Sequence, residues 1–226
     1  RHYTRATAMA GPYSPEMEPY DCGELFVPKT MFDGTRRILV GWIADREGGK
    51  DGGKGLWGGT MSMPRELYAD AQGRLCQRPV REIVDAFSKV SVRLEDGPVL
   101  GKKIDVPPDY MMHCRIRAAA PEAEAAIALR LASDDPDAGY RIQILFAKQT
   151  VSVGDRYRTY ERVCDFDPAA PVDLRVFVAD TVVECFINDA CCFTFRACDA
   201  PTGPVRFEAT AGSLTIQDFE VKTRDQ

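Results

Sequence analysis

The chain has 226 residues, 45% of them hydrophobic and 28% charged, with 29 Lys and Arg against 34 Asp and Glu. A net charge of -5 without a dominant basic block argues against a nucleic-acid partner. No apolar run approaches the roughly 18 residues of a membrane-spanning helix, and the length suits one large all-β domain or two small ones.

In chain order, residues 1–11 read as a strand, and residues 12–19, with three prolines, as a loop. Residues 23–29 and 36–44 form an antiparallel pair joined around Asp33-Gly34. Ile38, Leu39, Val40, Trp42 and Ile43 make a near-continuous apolar run, expected of a strand buried on both faces. Residues 47–55 are a Gly-rich loop. It lacks the G-x-x-x-x-G-K-[ST] register of a phosphate-binding loop, because Leu56 follows Gly55. Residues 60–68 are extended and interrupted at Pro64, and Asp70-Ala71-Gln72-Gly73 turns the chain back into residues 75–80. Residues 83–92 read as a short helical or extended connection, which places a boundary between units 1–84 and 85–226.

Beyond it the period of two dominates. Met112, Cys114 and Ile116 alternate with His113, Arg115 and Arg117. Ile127, Leu129 and Leu131 share a face, as do Ile142, Ile144 and Phe146. The pattern continues to residue 221, with turn signals such as Asn188-Asp189 and Pro201-Thr202-Gly203-Pro204. Many short alternating strands between such turns predict a two-sheet antiparallel β-sandwich. No long segment has a helical period, so the fold class is all-β.

The eight cysteines include no C-x-x-C pair, and His2 and His113 are the only histidines. Neither a metal nor another cofactor is therefore expected. A sheet-on-sheet core of this size needs no bridge, so the sandwich cysteines are expected to be free thiols packed as small apolar groups.

Three blocks carry a family resemblance: Arg36-Arg37-Ile38-Leu39-Val40-Gly41-Trp42-Ile43, Gly58-Gly59-Thr60-Met61-Ser62-Met63-Pro64-Arg65-Glu66-Leu67 and Gly73-Arg74-Leu75-Cys76-Gln77-Arg78-Pro79-Val80. In order and spacing they resemble glycoside hydrolase family 32, the invertases, inulinases, levanases and fructosyltransferases. Residues 174–188, LRVFVADTVVECFIN, resemble a signature strand pair of that family's C-terminal sandwich, with Arg196 where an Arg usually follows. Tyr20-Asp21-Cys22-Gly23 and Lys29-Thr30-Met31-Phe32-Asp33 match two further blocks, but Cys22 replaces an aromatic and Phe26 stands where a Tyr is usual.

The resemblance implies the last part of a five-bladed β-propeller, about one blade, followed by a concanavalin-like β-sandwich with a structural role. It implies a C-terminal portion of a sucrose- or fructan-cleaving glycosidase, with fructosides as substrates of the intact protein. Its partner would be the missing propeller portion or another copy of the chain. Retaining glycosidases need two carboxylates about 5–5.5 Å apart, and the family's three acidic blocks are absent here. Glu184-Cys185 continues into Phe186 rather than Pro, so Glu184 is read as a strand residue facing solvent or a neighbouring Arg. This chain alone is expected to be inactive. By the resemblance Trp42 and Phe26 lie near the fructosyl pocket, although a Trp in such a strand is also an ordinary core residue. Trp57, after the Gly-rich loop, is a rim contact or a plug against the sandwich. Arg65, Glu66 and Arg78 are expected near the junction of the two units. The alternatives are a lectin-like carbohydrate-binding sandwich and an oligomerisation module.

Overall fold

The computed structural model describes residues 2–6, 8–44, 58–99, 101–120, 122–130, 138–211 and 214–225. Strands β1 (His2–Tyr3) and β2 (Glu18–Pro19) form a short antiparallel ribbon. Among the described residues of the first eleven, only His2 and Tyr3 are strand, where a strand over the whole segment was expected. Tyr3 packs against the cluster that holds Tyr20 and Leu25, but Ala6 makes only an isolated bridge to Tyr13 and Met9 is 97% exposed, so the pairing does not continue.

A five-stranded antiparallel sheet follows, built from β3 (Leu25–Phe32), β4 (Arg37–Ala44), β5 (Gly59–Met61), β6 (Arg65–Ala69) and β7 (Leu75–Pro79). Its order is β3-β4-β6-β7, with β5 on β4. Asp33 closes the β3–β4 turn by accepting the N–H groups of Thr35 and Arg36 at 3.0 and 2.7 Å. Leu39 and Ile43 are buried with Tyr20 and Leu25, but Trp42 on the other face of β4 is 39% exposed. The expectation of a strand buried on both faces is therefore corrected: one face has a packed layer and the other is half open.

Helix α1 (Arg81–Ala86) makes the connection. The sandwich contains β8 (Lys89–Arg93), β9 (Gly97–Pro98), β10 (Lys103–Ile104), β11 (Tyr110–Ala118), β12 (Glu124–Leu129), β13 (Tyr140–Leu145), β14 (Thr150–Gly154), β15 (Thr159–Val163), β16 (Val172–Ala179), β17 (Val182–Ile187), β18 (Cys191–Arg196), β19 (Val205–Ala211) and β20 (Leu214–Thr223). One sheet runs β18-β17-β16-β11-β20-β8 with β9 on β20, and the other runs β10-β19-β12-β13-β14-β15. The alternation in the sequence explains the layering. Met112, Cys114, Ile116, Ile127, Ile142 and Ile144 meet Phe193, Phe207 and Phe219 in a single core. Each such side chain contributes about 1.5–3 kcal/mol by leaving water.

The cysteine expectation is also corrected, because Cys164 and Cys191 form a disulfide. Cys164 follows β15 and Cys191 opens β18, the edge strands of the two sheets. The cross-link arises because these edges converge, not because the core is too small. Cys22, Cys76, Cys114, Cys185, Cys192 and Cys198 are free.

Candidate functional site

Arg65 begins β6 directly after Pro64 and pairs across the sheet with Leu39, which turns its side chain to the packed face. It is 0% exposed. Its Nη1 donates to Asp21 Oδ2 at 2.8 Å, and its Nη2 to Glu184 Oε2 at 2.5 Å and to the Thr194 hydroxyl. The guanidinium lies 5.1 Å from the centre of the Phe186 ring. Glu184 Oε1 accepts the Met63 N–H at 2.8 Å, and Asp21 Oδ2 accepts the Thr194 hydroxyl at 2.7 Å. One buried cation thus ties the segment before β3 to sandwich strands β17 and β18.

The electrostatics follow from that geometry. Burial opposes the charge on Arg65, but Glu184 and Asp21 outweigh it and raise its pKa further. Burial pushes the Glu184 carboxyl up, with Arg65 and the Met63 N–H offsetting part of the rise. Glu184 is therefore buried against Arg65 rather than facing solvent, and the cluster ties the five-stranded sheet to sandwich strand β17.

Residues 22–24 extend the edge of β18. The Cys22 N–H donates to Cys192 O at 2.9 Å and the Glu24 N–H to Thr194 O at 2.5 Å. A Cβ on Gly23 would lie 1.8 Å from Thr194 O, so only glycine permits this approach. The buried Glu24 carboxylate accepts Arg158 Nη1 and the Tyr160 hydroxyl, both at 2.5 Å, and the Arg196 N–H at 2.8 Å. Burial, with the Glu24 bond, pushes Tyr160 up to about 12. Met63, Ile83, Val84 and Phe87 pack on Met111, Phe177, Phe186 and Cys192 to complete an apolar seam. Asp21, Glu24 and Thr194 were not anticipated from the sequence. The available signal was a polar residue in the middle of an apolar strand, Thr194 in Cys-Cys-Phe-Thr-Phe and Glu184 in Val-Val-Glu-Cys-Phe-Ile.

Glu66 and Arg78 lie at the rim of this junction. Arg78 donates to both Glu66 oxygens, at 2.9 and 3.2 Å, and its guanidinium lies 4.9 Å from the Tyr68 ring centre. Both line a cleft of about 750 Å³ with Met111, His113 and Arg175 of the sandwich. Their bonds are to each other; bonds across to Asp189 come from the Tyr68 hydroxyl, which donates to Oδ2 at 2.9 Å, and from the Gln77 N–H, which donates to the carbonyl oxygen at 2.7 Å.

Trp42 and Phe26 form a separate group on the opposite face of the five-stranded sheet from Arg65. They are cross-strand neighbours with ring centres 5.9 Å apart, and Met61 pairs with Trp42 from β5. Met61 and Met31 are 59% and 56% exposed. Gly59 makes room for the indole, since a Cβ there would lie 2.5 Å from Trp42 Nε1 and 2.2 Å from Ile43 O. The result is a half-open apolar surface whose aromatic faces can stack on a sugar C–H face or on another sheet. Trp57 lies outside the described residues.

Comparison with known proteins places the chain among relatives. The family model described as "Glycosyl hydrolases family 32 C terminal" matches residues 83–223, and that for the N-terminal domain matches residues 2–79. The Arabidopsis thaliana beta-fructofuranosidase CWINV5, an insoluble isoenzyme, is 25% identical over 223 residues, covering 74% of this chain and 38% of its own length. CWINV6 from the same plant is 39% identical over 80 residues, 34% of this chain and 14% of its own. Among solved structures, exo-inulinase from Aspergillus awamori superposes with a TM-score of 0.74 at 16% identity, covering 93% of this chain and 45% of that one. Fructan 1-exohydrolase IIa from Cichorium intybus gives 0.72 at 16% identity, with 93% and 50% covered. The chain thus spans well under half the length of these two curated relatives, and the solved structures share its fold.

Proposed function

This chain belongs to glycoside hydrolase family 32, and from that premise we propose that it serves as the C-terminal part of a sucrose- or fructan-cleaving glycosidase. In this reading the sandwich is structural and the five-stranded sheet is a propeller blade held on it through Arg65. The half-open face bearing Phe26, Trp42 and Met61 receives the rest of the propeller. The aromatic pair is the sugar-contacting part of that face. Phe26 has no hydroxyl, so its contribution is stacking rather than hydrogen bonding.

The observation that carries the reading is the contrast between the two faces of one sheet. Leu39 and Ile43 are 4% and 0% exposed, while Trp42, Met61 and Met31 are open. An apolar face of that kind on an otherwise well-packed unit is a contact surface. The lectin-like alternative needs exposed aromatics gathered on the sandwich. Among the described residues its most exposed large apolar side chains are Val90, Tyr157 and Val163, on separate elements, and nothing favours that reading.

The test is activity. The purified chain is expected to release no fructose from sucrose, inulin or levan. Expressed together with its upstream coding sequence it is expected to do so, and Trp42→Ala lowers kcat/KM by about tenfold or more, the worth of about 1.4 kcal/mol of transition-state contact. Turnover by the isolated chain that survives purification and disappears on substituting one of its own carboxylates would overturn the reading.

A further inference from the structure

The Cys164–Cys191 bond lies where the two modules meet. It joins the end of β15 to the start of β18, and residues 22–24 dock between those same elements. On one side they are held by Cys192 O and Thr194 O of β18. On the other, Glu24 is held by Arg158 and Tyr160, and the Cys22 Sγ lies 3.6 Å from Arg162 Nη1. The groove for residues 22–24 is therefore formed by two edge strands from different sheets. Apart from the core behind them, the disulfide is the covalent link that sets their separation.

Both half-cystines also line a cavity of about 210 Å³ at the seam, shared with Tyr3, Arg74, Leu75 and Arg162. The two residues are themselves buried, at 5% and 1% exposed, so this cavity is the side from which a small thiol reagent would approach the bond. We infer that Cys164–Cys191 is a redox-sensitive clasp on the module junction, and that its reduction loosens the seat of residues 22–24. This goes beyond the proposed function and does not depend on it.

The chemistry is thiol–disulfide exchange with a dithiol. A thiolate of the dithiol attacks one sulfur, the S–S bond breaks, and the released sulfur takes up a proton. The second thiolate of the reagent then resolves the mixed disulfide. Two electrons pass from the dithiol to the protein, leaving two cysteine thiols and an oxidised reagent. With the clasp open, β15 and β18 separate by local motion, and the bonds from residues 22–24 to Thr194 and Cys192 open more often.

Cys22 reports this opening, because it is half-buried in the docking segment, and the exposed Cys198 serves as an internal control. The full chain would be treated with iodoacetamide after equilibration in dithiothreitol buffers of increasing strength, and each cysteine's alkylation followed by peptide mass mapping. Reduction of Cys164–Cys191 is expected to raise the Cys22 rate at least about tenfold with the Cys198 rate unchanged, and amide exchange at Glu24 should rise in parallel. The double variant Cys164→Ser, Cys191→Ser should show the fast rate without reductant. Should that variant not fold, the wild-type reduction series decides. Absence of the bond from protein prepared under oxidising conditions would overturn the proposal. So would reduction that leaves Cys22 unchanged, or one that speeds the buried Cys114 as much as Cys22, the sign of general unfolding.

Discussion

Arg65 of the five-stranded sheet and Glu184 of the sandwich, 119 residues apart in sequence, meet at 2.5 Å with no solvent exposure on the arginine. The pair explains two features that are puzzling in isolation: an arginine opening a strand after a proline, and a glutamate in the middle of an apolar strand. Each is the other's partner, and Asp21 adds a second carboxylate from a third segment.

Arg65→Ala should therefore be the most damaging single change at the junction. It leaves Asp21 and Glu184 buried without a cation, for which a loss of about 3–5 kcal/mol is expected. Urea unfolding monitored by fluorescence would measure it. Arg65→Lys should recover only part of the loss, since an ammonium cannot reproduce the fork that reaches Asp21, Glu184 and Thr194 together.

Glu184 should leave a mark on the pH dependence of stability. Its folded pKa is raised above an unfolded value near 4.5, so the folded state holds the proton more tightly than the unfolded one. Its contribution is fully present below the unfolded pKa and is lost as pH rises through the raised value. Glu184→Gln removes that slope. The difference in stability between variant and wild type, followed by thermal unfolding from acid toward neutral pH, should move in the variant's favour as pH rises. A difference independent of pH would contradict this.

Gly23→Ala should be costly although it adds one methyl group. The new Cβ would lie 1.8 Å from Thr194 O, a backbone atom that cannot move without disturbing β18. A loss of about 3 kcal/mol is expected, near the upper end for overpacking. Loss of slow amide exchange at Glu24 would show that the docking strand has lifted.

Trp42→Ala should behave differently from Leu39→Ala, which lies on the packed face of the same strand. In the isolated chain the former should cost no more than about 1.5 kcal/mol, mainly the Phe26 contact. The latter should cost about 2–5 kcal/mol. Denaturant midpoints of the two variants give the comparison directly, and similar losses would show that the Trp42 face is not open.

The sandwich was largely legible because its strands alternate so regularly. Met112, Cys114 and Ile116 point to the core while His113 and Arg115 do not, and the tight turn at Asn188-Asp189 marks the β17–β18 hairpin. The first unit was less legible. The run from Ile38 to Ile43 is apolar on both sides, so periodicity cannot distinguish a doubly buried strand from one with an apolar face waiting for a partner. The contacts of Arg65 were not legible. Arg65 stood out only as part of a mixed charge pair with Glu66, while its partners lie 44 and 119 residues away, and no local pattern encodes such pairings. The cross-link between Cys164 and Cys191 was missed for a similar reason: it depends on which strands end the two sheets, a property of topology rather than spacing.

The central claim is that the five-stranded sheet is an incomplete unit, anchored through Arg65 on one face and awaiting a neighbour on the other. Amide hydrogen exchange on the isolated chain, at a dilution where light scattering shows a monomer, tests it most directly. The account predicts that residues 38–43 exchange at least about a hundredfold faster than residues 174–178 in the sandwich core. Equally slow exchange in both segments of a demonstrated monomer would contradict it.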